Sequence, residues 1–135
     1  MRCQITMLLF LGILTAVILS ACAGKPDLLP VKPPDSPEVV GFCQQDDQGR
    51  LIVTVRNQGN ADAPPSTTTV EFTPGGSFPL PTPAIPAGGS VDLSPLSIPA
   101  ECFDADCEFK ITVDSLNKVD ESDEGNNSAN GRCIG

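Results

Sequence analysis

Apolar and polar residues alternate most regularly over Phe109-Lys110-Ile111-Thr112-Val113, which puts Phe109, Ile111 and Val113 on one face of a strand. Leu51-Ile52-Val53-Thr54-Val55 alternates in its last positions and stops at Asn57-Gln58-Gly59-Asn60, a run of turn formers. A further strand is predicted from Ser66 to Phe72, ended by Pro74-Gly75-Gly76. The stretch from Ala84 to Ser97 supplies Ile85, a break at Gly88-Gly89, and then Val91, Leu93 and Leu96. Past Val113, Ser115 and Asn117 suit a tight turn before Val119 resumes the apolar face. No window in this region sustains a 3.6-residue period, and proline or glycine interrupts the chain too often for a long helix. The spacing predicts an all-β chain folded as a two-sheet, immunoglobulin-like sandwich, with a core of Val, Ile and Leu and few rings.

The N-terminal pattern is different. Arg2 is the only charged side chain before Lys25, and Ile5 to Leu19 is apolar apart from Thr6, Gly12 and Thr15. A positive start, an apolar run and small residues after it form a secretory signal. As a helix the run would measure about 23 Å, short of the roughly 30 Å hydrocarbon core of a bilayer. Leu19-Ser20-Ala21-Cys22 resembles the lipobox of bacterial lipoproteins, which implies cleavage of residues 1–21 as a lipoprotein signal peptide and acylation of Cys22 as the first residue of the mature chain. Two or more acyl chains anchor stably. The expected location is therefore extracytoplasmic and lipid-anchored, at the outer membrane of a diderm cell since Ala23 and Gly24 follow the cysteine. Five prolines between Pro26 and Pro37 make residues 22–37 a proline-rich tether with room for a first edge strand, a stalk reaching roughly 40 Å if fully extended. Residues 38–135 are left for the folded domain.

Composition narrows the chemistry. Loss of residues 1–21 removes only Arg2 from the charged set, taking the net charge from −9 to −10 and leaving 114 of the 135 residues, one domain's worth. Such acidity argues against nucleic acid as a partner and against lying flat on anionic lipid. The chain has no His, Trp or Tyr, which removes the usual general base, the commonest metal ligand and the best sugar-stacking rings together. Ser66 and Thr67 to Thr69 have no base at any recognisable spacing and are expected to face solvent on a strand, so no enzyme is expected. Arg56 and Lys110 are expected as outward cations within strands.

Cys43, Cys102, Cys107 and Cys133 remain in the domain, an even number that reads as two disulfides in an oxidising compartment. The absence of His and of any Cys-x-x-Cys pair argues against zinc. The favoured pairing joins Cys102 to Cys107 around a small loop and Cys43 to Cys133 across the domain.

Over essentially the whole mature chain the residues resemble the CARDB family, the cell adhesion related domain found in bacteria. The resemblance rests on Pro26-Asp27-Leu28, on Val53-Thr54-Val55-Arg56-Asn57-Gln58-Gly59-Asn60 and on Ile85-Pro86-Ala87-Gly88-Gly89-Ser90. It is strongest at Ile111-Thr112-Val113-Asp114 followed by Val119-Asp120-Glu121-Ser122-Asp123-Glu124-Gly125-Asn126-Asn127. It implies an immunoglobulin-like sandwich of about seven strands, exposed on the cell surface or in the periplasm, with no catalytic residues. The expected function is a binding module for an envelope or extracellular protein; the alternative is a structural spacer with no discrete ligand. A single copy, a lipid anchor and four cysteines are departures from the repeated modules typical of that family.

Asp114, Asp120, Glu121, Asp123 and Glu124, with Asn126 and Asn127, offer the hard oxygens that Ca²⁺ takes, making calcium the one candidate cofactor. The spacing departs from an EF-hand: with Gly125 at the glycine position, Gly131 falls where the bidentate glutamate belongs. The competing reading is a solvated turn in which Asn126 and Asn127 bond nearby backbone and Glu121 or Glu124 caps the turn. The other expectation open to a direct check is the anchor: Cys22→Ser should move the protein from the detergent phase to the aqueous phase on partitioning, and a Cys22→Ser protein that stays with detergent would refute it.

Overall fold

A computed structural model describes residues 23–34 and 41–135 of the chain. Residues 1–21, expected as a signal peptide, and Cys22, expected as the acylation site, lie outside the described residues. In chain order the strands are β1 (Leu28–Pro30), β2 (Gln44–Gln45), β3 (Leu51–Ile52), β4 (Thr54–Asn57), β5 (Ser66–Thr73), β6 (Gly76–Thr82), β7 (Ser90–Asp92), β8 (Asp106–Thr112) and β9 (Ser128–Ile134), with a single 3-10 turn at Ala100–Cys102. Val53 alone separates β3 from β4, and Leu51, Val53, Val55 and Asn57 are all buried, so 51–57 behaves as one strand with a core face. All pairings are antiparallel. A three-stranded sheet in the order β1-β4-β7 packs on a four-stranded sheet in the order β6-β5-β8-β9, and β2 forms a small hairpin with β3. The fold is the antiparallel sandwich expected from the alternation.

The core lies between the sheets. Leu28, Val53 and Val55 come from one side, and Val70, Phe72, Leu80, Phe109 and Ile111 from the other. Phe72 is its aromatic centre, 5.8 Å from Phe78 edge-on and 5.9 Å from Phe109. Phe78 and Phe103 pack against the core half-buried. Arg56 and Lys110 are exposed, Lys110 facing Glu71 in register.

β6 and β9 are long strands that alternation does not mark. β6 carries Pro79 and Pro81, residues that argue against a central strand; as the last strand of its sheet it tolerates them, both exposed, while Leu80 and Thr82 turn inward. β9 has little apolar content because Gly131 sits across from Phe109, and a Cβ there would run into the ring. Ser66 and Thr68 correct a further expectation. They alternate with Val70 and Phe72 on the buried face of β5 and do not meet solvent. The Thr68 hydroxyl finds its partner across the sheet in Thr82 Oγ1 at 2.7 Å, which removes the cost of burying either one alone.

The disulfides are Cys43–Cys133 and Cys102–Cys107. Cys107 and Cys133 are register partners on β8 and β9, so both bridges meet at one end of the four-stranded sheet. By loop-closure entropy, replacing Cys43 and Cys133 together by Ala should lower the unfolding free energy by about 4 kcal/mol, and replacing Cys102 and Cys107 by about 2 kcal/mol. Urea unfolding of the two double variants checks the ranking.

Candidate functional site

Polar side chains concentrate at the end of the sandwich opposite the disulfides, where β1 and β9 begin and β4 and β8 end. Asn57 closes β4 and is fully buried although it opens a turn sequence. Its Oδ1 accepts the Asp27 and Gly59 backbone N–H groups, each at 3.0 Å, and its Nδ2 donates to the carbonyls of Ala61 at 2.8 Å and Ile85 at 3.0 Å. All four hydrogen-bonding positions of the amide are used. Gly59 is required beside it, because the backbone of Lys25 to Asp27 crosses where a side chain would stand.

That crossing segment is gripped from several sides. The Lys25 N–H donates to Asn60 Oδ1 at 3.0 Å, and the Asn60 N–H returns a bond to the Lys25 carbonyl at 3.1 Å. The Asp27 carboxylate accepts Gln58 Nε2 at 3.0 Å and Asn126 Nδ2 at 2.8 Å. The Pro26 carbonyl accepts the Ser122 N–H at 2.9 Å. Lys25 Nζ meets Asp120 Oδ1 at 2.8 Å on the open surface, a pair worth under about 1 kcal/mol.

Glu121 is the buried acid of this end, 5% exposed. Its carboxylate accepts the Leu28 backbone N–H and Asn127 Nδ2. Burial pushes its carboxyl above the ordinary glutamate range, the two hydrogen bonds pull the other way, and the nearby charges of Glu124 and Asp114 add to the rise. Glu124 in turn accepts the Glu121 N–H at 3.0 Å and so caps the turn. Asp123 accepts the Gly125 N–H at 2.8 Å. Asp114, at a positive φ of 44°, accepts the Lys118 and Val119 N–H groups at 3.1 and 2.8 Å.

The five carboxylates proposed for calcium are therefore split among separate local jobs. Asp114 organises one turn, Asp120 pairs with Lys25, Glu121 holds β1, and Asp123 and Glu124 organise a second turn. Among the described residues no group of three or more acidic or cysteine side chains is set to hold a metal ion. Asn126 and Asn127 also differ from expectation, since their amides bond carboxylates and not backbone. The sequence marked Asn57, Asn60 and Asp27 only as turn or motif residues; the signal for their joint role is the apolar face of 51–57, which makes Asn57 the next inward position.

An open hollow of about 710 Å³ lies on the outer face of the four-stranded sheet. Glu108, Lys110, Asn130 and Arg132 rim it, with the backbone of Phe109 and Gly131 as floor. Arg132 Nη1 is 3.5 Å from Asp106 Oδ2. Thr73 completes the rim, and charges of both signs spread over an open face suit the hollow to polar contact.

Because the raised carboxyl of Glu121 binds its proton more tightly in the folded state than in the unfolded one, its contribution to stability is present in acid and is lost as pH rises through the folded pKa. The melting temperature of wild type should fall relative to Glu121→Gln as pH rises from the ordinary glutamate range to neutrality. A difference constant with pH would contradict this.

The fold has solved counterparts. The structure matches a domain of a Methanosarcina acetivorans protein named for the cell surface, with a TM-score of 0.62 at 21% identity over 82% of this chain and 91% of that one. It also matches the CARDB domain of a Pyrococcus furiosus protein solved in complex with di-metal ions, with a TM-score of 0.52 at 19% identity over 82% of this chain and 88% of that one. No curated protein matches the sequence. The CARDB family profile matches residues 25–131, from the Lys25 that is clasped by Asn60 to the Gly131 that makes room for Phe109. By that match, which spans both sheets and the polar end, the chain belongs to the CARDB family.

Proposed function

We propose that this chain is a non-catalytic surface module, held outside the cytoplasm by acyl chains on Cys22 and presenting its sandwich for contact with another envelope or extracellular protein. The observation that carries the reading is how the polar residues are spent. The buried amide and carboxylates close the fold onto itself, and among the described residues no group of three or more acidic or cysteine side chains is set to hold a metal ion, while the outer sheet faces remain for contact. Two disulfides suit an oxidising compartment, and a structural neighbour named for the cell surface agrees with that address.

The Pyrococcus domain was solved in complex with di-metal ions, and among the described residues of this chain no group of three or more acidic or cysteine side chains is set to hold one. Here Asp114, Glu121 and Glu124 are engaged by N–H donors, and a cation would have to displace bonds that hold the turns and β1. The second reading is a spacer or envelope stabiliser with no discrete ligand, favoured by the mixed, shallow character of the outer hollow.

Cross-linking in intact cells separates the two. A specific, reproducible cross-linked partner, lost when Lys110 and Arg132 at the hollow are both reversed to Glu, is the outcome expected for a binding module. Repeated absence of a partner at wild-type abundance would favour the spacer.

A further inference from the structure

The proline-rich segment after Cys22 suggests a long stalk, but the structure shows its first part attached to the sandwich. From Lys25 to Val31, backbone and side chains are bonded to the domain. Asn60 holds Lys25 in both directions, Ser122 holds Pro26, and Asn57, Gln58 and Asn126 hold Asp27. Glu121 holds Leu28, and the Val31 N–H donates to the Thr54 carbonyl at 2.9 Å. Gly24 is already so close to Asn60 that a Cβ would collide with the amide. Only Ala23 and Gly24 then lie between the acylation site and the first clasped residue. Two residues of extended chain reach about 7 Å.

We propose that the end of the sandwich carrying the Asn57 network rests directly on the lipid surface, spaced from it by Ala23 and Gly24 alone. The proposal rests on acylation of Cys22 and adds an orientation to it. The chain leaves the domain at the end where β4 and β8 finish, so the turns at 57–61, 83–89 and 114–127 are the ones brought to the headgroups. The hollow on the β5-β8-β9 face stands sideways, and the disulfide end points away. This lipid-facing end exposes Asp62, Asp120, Asp123 and Glu124 against Lys25 and Lys118, with Asp114 and Glu121 buried behind them. A surface so acidic fits zwitterionic headgroups and is repelled by anionic ones.

Two exposed apolar residues mark the two ends. Leu116 is 58% exposed in the turn after β8, between Asp114 and Asn117, which hold the turn with positive φ of 44° and 50°. Ile134, 64% exposed, ends β9 opposite Asp106. Strand rise places Ile134 about 20 Å farther along the sheet than the Thr112–Ser128 pair beside the Leu116 turn. The chain has no Trp or Tyr, so an introduced indole is a sole reporter.

The test uses the acylated full chain purified from bacterial membranes and placed in phosphatidylcholine vesicles with a trace of lipid bearing a headgroup energy acceptor. Energy transfer from Leu116→Trp should exceed that from Ile134→Trp several-fold. Inserting about ten Gly and Ser residues between Ala23 and Gly24, which adds roughly 18 Å of flexible reach, should bring the two towards equality. Equal transfer in the uninserted variants, or stronger transfer from Ile134→Trp, overturns the orientation. The mass of the same samples separates the two layers: acylated Cys22 with equal transfer sinks the orientation alone, whereas unmodified Cys22 sinks the anchor and the orientation together.

Discussion

The fold turns on one buried amide. Asn57 stands where an apolar strand face runs into a turn, and its four hydrogen bonds reach β1, its own turn, the Ala61 carbonyl and the segment before β7. A buried amide without partners costs several kcal/mol, and one with all its partners fixes geometry, because each partner must sit where the planar group points. The result is that three stretches far apart in sequence are located by one side chain. The grip on Lys25 to Leu28 by Asn60, Gln58, Glu121 and Asn126 extends the same principle across to the other sheet.

The opposite end is organised by covalent bonds. Cys107 and Cys133 face each other across β8 and β9, and each is bridged outward, one to the 3-10 turn and one to the segment before β2. Between these ends lies a core of aliphatics around three phenylalanines. A domain of this size buries a smaller fraction of its surface than a large one, so its margin of stability is thin. Hydrogen bonds closing one end and disulfides closing the other act on the frayed parts of a short sandwich, where aliphatic packing has least to offer.

Much of the architecture could be read from residue order because strands with one buried face leave a period of two. That period is plain at 51–55 and at 109–113, which became β3, β4 and β8. It is absent where the inward position is taken by something other than an aliphatic. β9 offers Ala129, Gly131 and Cys133 to the interior, and β5 begins with Ser66 and Thr68, so neither stretch announces its face. β6 hides behind prolines that only an edge position permits. The polar end was legible as a collection of turn formers and acids but not as a network. Its members come from residues 25, 57, 85 and 121–127, and only the packed sheets bring them together. The acidic run looked like a cation site because sequence shows which oxygens are present and not which N–H groups have already claimed them.

One edge of the four-stranded sheet has a further consequence. Pro79 and Pro81 have no N–H to offer, so at those two positions the margin of β6 gives an added strand no donor. Where many copies share a small area, as proteins confined to two dimensions do, a sheet margin of this kind resists zipping into neighbours. The prolines that obscure the strand in the sequence let the domain be crowded without polymerising along that side.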